Sequence, residues 1–282
     1  MELSEIKQGV EPPIDATALV VDLRNFTPSL NASQEDLNGV NTFCYFLFDF
    51  YQIILKCCLL AIPAPLRNNP PLQINSTGDG ALIVYYNTWN FAYGFLAAIL
   101  LDAYLSSFCR EFNLKNSQNN LPEVSFGIGI ESGKVSRIFA HNSINTTRPV
   151  IDTFIGYAIN IASRAESISK TLFAANTIFS DATVEKVSQS LFQENYQDKR
   201  NQDAICKSDD ERLIIHEKMN ELNHKLCLAF IGRYNLQGVS QPMPLYRLSR
   251  YALKPGMKRF DTLIKKLVQS DSQHFKEIVN FL

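Results

Sequence analysis

The chain has 282 residues, of which 46% are hydrophobic and 20% charged, the proportions of an ordinary globular protein. Its formal net charge is −1, which excludes the broad basic surface that nucleic acids and anionic lipids require but leaves room for local nucleotide binding. The six cysteines include no C-x-x-C pair, so a zinc site or a disulfide framework is not expected.

The sequence contains no obvious membrane or export signal. Its N-terminus lacks a basic stretch followed by an apolar core, and the longest apolar run, Phe91–Leu101, is shorter than the ~20 residues of a membrane helix. We therefore expect a cytoplasmic protein that neither spans a membrane nor binds nucleic acid.

The first half of the chain alternates strands and helices. Residues 1–15 are expected to be a lead-in that Pro12 and Pro13 keep from forming a helix. Apolar periodicity and turn residues then predict a strand, a helix, a hairpin and a second helix, in the order Thr17–Leu23, Gln34–Ala61, Leu72–Tyr86 and Thr88–Phe112.

The second half continues with further α/β units. The patterns predict a strand, glycine turn and strand over Pro122–Phe139, a polar loop over His141–Arg148, a helix from near Gly156 and closing strands at 176–179, 227–232 and 244–248. Residues 193–225 are charge-mixed and indicate an inserted helical arm, and 251–282 contain an amphipathic C-terminal helix. We predict one domain over 16–250 with a ferredoxin-like α/β sandwich.

Two carboxylates stand at the ends of predicted strands. Asp79 lies in the hairpin turn Gly78-Asp79-Gly80, and Asp22 lies near the end of the first strand. Most Asp-Gly turns are only turns, because Asp and Gly accept a positive φ. Two carboxylates at adjacent strand edges, however, can hold a pair of divalent ions for in-line phosphoryl transfer.

Two further segments point to a polar site. The polar turn Arg24-Asn25-Phe26-Thr27 precedes a helix, so its free backbone N–H groups either cradle a phosphate or form an ordinary capped loop. Asn160 and Arg164 are four residues apart, which places both on one face of an otherwise apolar helix.

Two glycines, Gly127 and Gly129, interrupt a predicted strand. Glycine within a strand marks either a close approach by another part of the chain or a bulge, and the sequence favours neither.

Taken together, the motifs resemble the catalytic domain of class III nucleotidyl cyclases, the adenylate and guanylate cyclase family. Five segments match in order over about Ala16–Leu248: Val20–Thr27, Thr77–Gly80, Phe126–Gly133, Ile155–Arg164 and, more weakly, Leu236–Tyr246. Each motif alone is unspecific, but five in order with sensible spacing are a specific signal.

The resemblance implies a role for each matched position. Asp22, Asp79 and the Leu23 carbonyl would bind two Mg²⁺ or Mn²⁺ ions, and the backbone of Arg24, Asn25, Phe26 and Thr27 would hold the triphosphate. Asn160 would orient the ribose, and Arg164 would neutralise the α-phosphate in the transition state. In this family the aspartates come from one protomer and the Asn–Arg pair from its partner, which implies a homodimer with two composite sites.

Two positions depart from the family pattern. Asn75 stands where purine-specific relatives carry a base-reading Lys, and Gln237 replaces a triphosphate-binding Lys, for which Arg137 or Arg233 could substitute. The partner base-reading position is Thr153, a residue that many bacterial relatives also have there. With no sensor domain recognisable, the chain is similar to the pyrimidine cyclases of bacterial anti-phage signalling, which make cyclic UMP or cyclic CMP from UTP or CTP. The sequence does not decide between uracil and cytosine.

Other functions stay open at this point. The chain is alternatively an adenylate or guanylate cyclase, or a cyclase-like pseudoenzyme that binds nucleotide without turnover. A nucleic-acid polymerase palm, which also pairs aspartates, is disfavoured by the near-neutral charge.

Overall fold

A computed structural model describes residues 6–32, 37–117, 122–142, 145–172, 176–192 and 228–248. The predicted arm at 193–225 and the predicted C-terminal helix at 251–282 lie outside these residues. The described part is a mixed α/β structure with a central sheet and helices, as predicted.

Within the described residues the central sheet has nine strands: β1 Ile6–Val10, β2 Ile14–Arg24, β3 Leu72–Ser76, β4 Gly80–Tyr85, β5 Ser125–Asn142, β6 Asn145–Ile155, β7 Thr177–Ser180, β8 Leu228–Tyr234 and β9 Met243–Leu248. Their order is β3-β4-β2-β5-β7-β9-β8, and β1 and β6 pair with the second half of β5. All pairs are antiparallel except β5 with β7.

Five α-helices accompany the sheet in the described residues: α1 Phe26–Ala32, α2 Leu37–Leu60, α3 Asn90–Asn116, α4 Tyr157–Ser169 and α5 Asp181–Phe192. The side-chain alternation of β2 divides them between the two faces. Leu19, Val21 and Leu23 join the main core with α2 and α3, while Ala16 and Ala18 pack against α4 in a smaller one. The central strands are thus buried on both faces.

Two of these helices pass a simple test for membrane spans. Val40–Leu60 of α2 and Asn90–Asn116 of α3 are long and apolar enough, by length and composition, to cross a bilayer. A count of uninterrupted apolar residues misses them because scattered polar residues break the runs. Core helices of soluble proteins pass the same test, and most of α3 is buried inside the fold, so the finding is weak evidence for a membrane.

The main corrections to the predicted elements concern β5 and its partners. The predicted turn near Gly133 does not form, because β5 continues through Gly133 and pairs there with Ala16 of β2. The predicted polar loop at 141–148 is largely strand, since β6 starts at Asn145 and returns along β5. Part of the predicted lead-in is likewise strand β1. Sheet pairing with distant segments overrides the local turn signals.

Candidate active site

The backbones of the two predicted metal-binding aspartates meet at one end of the sheet. Asp22 of β2 lies opposite Gly80 of β4, and the Leu23 N–H donates a hydrogen bond of 3.0 Å to the Asp79 carbonyl oxygen. A Cβ at Gly80 would lie 2.5 Å from the Val21 carbonyl oxygen and 3.2 Å from Oδ1 of Asp22. The glycine therefore lets the hairpin turn close against the Asp22 carboxylate.

This donor set fits Mg²⁺ or Mn²⁺. Carboxylate and carbonyl oxygens are hard ligands, and Mg²⁺ commonly takes one or two carboxylates together with substrate phosphates and water. In the described part of the chain, no cluster of three or more His, Cys, Asp or Glu side chains forms a cage around an ion. Asp22, Asp79 and the Leu23 carbonyl would thus be the protein's ligands, and a nucleotide's phosphates would supply the others.

Lys170, which follows α4, is already paired with one of these carboxylates. Its Nζ lies 3.0 Å from Oδ2 of Asp22 and 3.3 Å from Oε2 of Glu166. Although desolvation lowers the pKa of Lys170, the hydrogen bond to Asp22 and the charge of Glu166 outweigh it, so its pKa is raised. The Lys170 ammonium therefore forms an ion pair with a predicted metal ligand, Asp22.

A buried ionic cluster lies beneath this ion pair. Glu166 is 3% exposed, and burial raises its pKa, while burial lowers the pKa of Arg24. Nη2 of Arg24 donates to Oγ of Ser169. A Cβ at Gly127 would lie 2.4 Å from Oε1 of Glu166 and 2.6 Å from Nη2 of Arg24, so the glycine makes room for the cluster.

The predicted triphosphate turn has a fixed backbone. Asn25 has a left-handed φ of 59°, and its Nδ2 donates to the Glu123 carbonyl oxygen at 2.9 Å. Phe26 is buried with its ring edge-on to Phe43 at a centroid distance of 5.7 Å. Thr27 is exposed. The side chains anchor the turn, and a phosphate role for its backbone stays a prediction.

α4 carries the predicted catalytic pair on its exposed side. A Cβ at Gly129 would lie 1.9 Å from the Ala162 carbonyl oxygen, so the strand glycine marks the close approach of this helix. Asn160 and Arg164 are both exposed, and within the described residues neither side chain has a hydrogen bond or an ion pair. The structure does not bring them to Asp22, whose cationic partner in the same protomer is Lys170.

The predicted base-reading residues do meet. Nδ2 of Asn75 on β3 donates to Oγ1 of Thr153 on β6 at 2.9 Å. Asn75 lies opposite Leu82, two residues from Gly80, so it shares a sheet face with Asp22. The predicted metal ligand Asp22 and the predicted base-reading residue Asn75 therefore lie on one face of the sheet.

Gln237 lies in the exposed turn between β8 and β9. Leu236 packs with Ile161 and Ala165, which places this turn beside α4. Of the two arginines considered as substitutes for the missing Lys, Arg137 forms ion pairs with Asp152 at 2.7 Å and Glu11 at 3.5 Å. Arg233 is exposed.

Comparisons with known proteins identify this architecture. Adenylate cyclase of Anabaena cylindrica is 26% identical over 186 residues, which are 66% of this chain and 33% of that protein. The crystal structure of the adenylyl cyclase CyaB from P. aeruginosa superposes with a TM-score of 0.51 at 16% identity, over 88% of this chain and 99% of that one. The chain has the class III nucleotidyl cyclase fold.

Two further neighbours share the class III fold. A bacterial light-regulated adenylyl cyclase has a TM-score of 0.54 at 12% identity, over 95% of this chain and 58% of that one. The catalytic core of a rhodopsin-guanylyl cyclase of converted specificity, solved with ATPαS, has a TM-score of 0.50 at 15% identity, over 88% and 100% of the two chains. No family model matches. The chain matches about a third of the length of the adenylate cyclase from Anabaena cylindrica. The likenesses therefore establish the fold and not the activity of the whole protein.

Several residues of the site were not indicated by the sequence. Lys170, Glu166 and Ser169 lie on or just after α4 and reach Asp22 and Arg24 only through the fold, because Lys170 and Asp22 are 148 positions apart. Gln73 is hydrogen-bonded to Asn75, two residues further along β3. Because residues two apart on a strand share a face, the sequence could have indicated this pair.

Proposed function

We propose that the protein is a nucleotidyl cyclase that converts a ribonucleoside triphosphate, with UTP or CTP favoured, to its 3′,5′-cyclic monophosphate and pyrophosphate. The observation that carries the proposal is the junction of Asp22 and Asp79 through the Leu23–Asp79 hydrogen bond, on a class III cyclase fold.

The proposed reaction is an in-line displacement at the α-phosphorus. The ribose 3′-oxygen loses its proton and bonds to the α-phosphorus, and the bond from that phosphorus to the pyrophosphate oxygen breaks. Two divalent ions at Asp22 and Asp79 would lower the pKa of the hydroxyl and offset charge on the leaving group. Asn160 would orient the ribose, and Arg164 would stabilise charge on the equatorial oxygens, a contact worth about 10²–10³-fold in rate.

The proposed active species is a homodimer. Asn160 and Arg164 are exposed and unpaired among the described residues, while Asp22 is held by Lys170 of its own chain. A second copy related by a two-fold axis would bring its Asn–Arg pair to these aspartates and form two equivalent composite sites.

The preference for a pyrimidine is supported by one departure from purine-specific relatives, because Asn75 supplies no charge for reading a purine. Gln237 supplies no charge for the triphosphate, which bears on nucleotide binding rather than on the choice of base. The alternative, adenylate or guanylate cyclase activity, is supported by the name of the relative from Anabaena cylindrica. A role of cyclic UMP or cyclic CMP in anti-phage signalling is proposed from the resemblance of the sequence alone.

The test offers purified protein UTP, CTP, ATP and GTP together with Mn²⁺ and measures each 3′,5′-cyclic product. We expect one product to dominate, and the matched variant Asp22→Asn to give none. Nucleotide binding without any cyclic product would support the pseudoenzyme instead. That second candidate is favoured by one observation, the Lys170 ammonium on Asp22.

A further inference from the structure

Two side-chain amides and a hydroxyl form a connected network at the edge of the sheet. Nε2 of Gln73 donates to the backbone carbonyl oxygen of Asp152 at 2.7 Å and to Oδ1 of Asn75 at 3.1 Å. Nδ2 of Asn75 donates to the same carbonyl at 3.4 Å and to Oγ1 of Thr153 at 2.9 Å. All four residues are half-buried.

The carbonyl of Asp152 fixes the direction of every bond in this network. A backbone carbonyl only accepts hydrogen bonds, so both amides must turn their NH₂ groups toward it. The Gln73 NH₂ then also faces Asn75, which must present its oxygen there. The amide of Asn75 cannot rotate by 180° without setting its NH₂ against that of Gln73 and its oxygen against the carbonyl.

The support of this carbonyl is itself rigid. Nε and Nη2 of Arg137 each lie 2.7 Å from a carboxylate oxygen of Asp152, a bidentate pair. The hydrogen bond and charge of Asp152 raise the pKa of Arg137. Asp152 therefore holds its position in β6, and the orientation of the Gln73 and Asn75 amides depends on its carbonyl oxygen.

A count of donors and acceptors shows what the network leaves for a ligand. Both N–H groups of Asn75 are used, and Oδ1 keeps one lone pair because a carbonyl oxygen accepts two hydrogen bonds. Thr153 accepts from Asn75, so its hydroxyl proton is available, and in the described part of the chain it has no acceptor. The pair thus offers one donor, Thr153 O–H, beside one acceptor, Asn75 Oδ1.

This donor–acceptor pair matches one class of base. Uracil presents the carbonyl O4 beside N3–H, and guanine presents O6 beside N1–H. In the same orientation, cytosine and adenine present an amino group to Thr153 and an unprotonated ring nitrogen to Asn75, and that nitrogen would need a donor from Asn75 that is already used. A cavity of about 330 Å³ lined by Asn75, Gln73, Tyr86 and Phe154 adjoins the network. The rings of Tyr86 and Phe154 are 5.6 Å apart and give it an aromatic wall.

We propose that Gln73 is a positioning residue that fixes which groups of Asn75 and Thr153 donate and which accept hydrogen bonds. It thereby selects a nucleoside triphosphate with a keto base: UTP over CTP and GTP over ATP. The proposal rests on the proposed function in one respect, that the base docks with its exocyclic group against Thr153 and the adjacent ring nitrogen against Asn75. Combined with the pyrimidine preference proposed above, it names UTP as the substrate.

The experiment measures two ratios, UTP over CTP and GTP over ATP, in Gln73→Met and in the matched control Gln52→Met on α2. In the wild type and the control we expect both ratios to exceed one, with a UTP preference between about 5-fold and about 100-fold. In Gln73→Met the Asn75 amide loses the 3.1 Å bond that holds Oδ1 and keeps only the longer 3.4 Å bond to the Asp152 carbonyl, so it turns over more easily and both ratios should fall toward one. Thr153→Val, which removes the hydroxyl donor, should lower the ratios in the same way.

Each ratio is read twice, from cyclic products and from binding of the 3′-deoxynucleoside triphosphates, which cannot cyclise, by calorimetry with Mn²⁺. Binding that prefers uracil and loses the preference in Gln73→Met supports the inference even if no product forms, in which case only the proposed function fails. Cyclisation that prefers CTP or ATP, or a UTP preference unchanged in Gln73→Met, overturns the inference while the cyclase assignment survives. If none of the four analogues binds, the inference is overturned as well.

Discussion

Around Asp22, the structure gathers charges: Lys170, Glu166 and Arg24 lie within one partly buried group. Around Asn75, on the same sheet face, it gathers neutral amides and a hydroxyl whose bond directions are fixed by one carbonyl. The first region is suited to binding ions and stabilising transferred charge, and the second to distinguishing donors from acceptors. Damage to the first should abolish turnover, and damage to the second should change the choice of nucleotide.

The largest expected effect comes from the charged region. Asp22→Ala removes a proposed metal ligand and should lower kcat by about 10³-fold or more, since one electrostatic contact alone is worth about 10²–10³-fold. The variant should stay folded by circular dichroism and keep the proposed dimeric state by size-exclusion chromatography. Turnover within 2-fold or so of the wild type would remove Asp22 from the site.

The proposed composite site makes a second prediction for the same region. Asp79→Ala and Arg164→Ala should each be inactive, but a mixture allowed to exchange subunits should recover about a quarter of the wild-type rate, because half of the dimers then hold one intact site of two. The control is each variant mixed with itself. A mixture as inactive as its components would argue that both residues act within one chain.

A buried carboxyl outside both regions, Glu131, can be compared with the paired carboxylates Asp22 and Glu166 of the charged region. Glu131 is 3% exposed and forms no ion pair within the described residues, and burial raises its pKa to about 7 from an ordinary 4.5, despite Ser180 and Lys186. Between these values the unfolded chain releases its proton and the folded chain keeps it. The free energy of unfolding should therefore fall as pH rises from 4.5 to 7, by about 3 kcal/mol at most.

The measurement is urea unfolding at a series of pH values from below 4.5 to above 7. Glu131→Gln should flatten the pH dependence over this window, while Glu123→Gln, at an exposed position, should leave it as in the wild type. An unchanged slope in Glu131→Gln would show that Glu131 titrates alike in the folded and unfolded chains.

The smallest expected effect concerns the tethered cation. Lys170→Met removes the ammonium that competes for Asp22, so the dissociation constant for Mn²⁺ without nucleotide should fall by up to about 5-fold, the range of a partly exposed ion pair. The readout is calorimetry or the Mn²⁺ electron paramagnetic resonance signal. Lys134→Met, which breaks the surface pair with Asp15, is the matched control. Weaker binding in Lys170→Met would mean that Lys170 orders the site rather than competing for it.

The sequence alone determined the features that local chemistry encodes. The Gly78-Asp79-Gly80 turn, the start of α4 after Gly156 and the helical spacing of Asn160 and Arg164 all follow from φ preferences and periodicity. The cyclase fold was indicated by the resemblance of five motifs, in order, to class III nucleotidyl cyclases.

Only the tertiary structure decided how distant groups face one another. Pairing with β2 and β6 carried β5 straight through Gly133, where the local pattern predicted a turn. Packing of α4 on Gly129 brought Lys170 to Asp22, and the return of β6 set the Asp152 carbonyl against Gln73. Ion pairing and the direction of a hydrogen bond depend on the position of both partners in space, and residues this far apart along the chain acquire that position only when the sheet has formed.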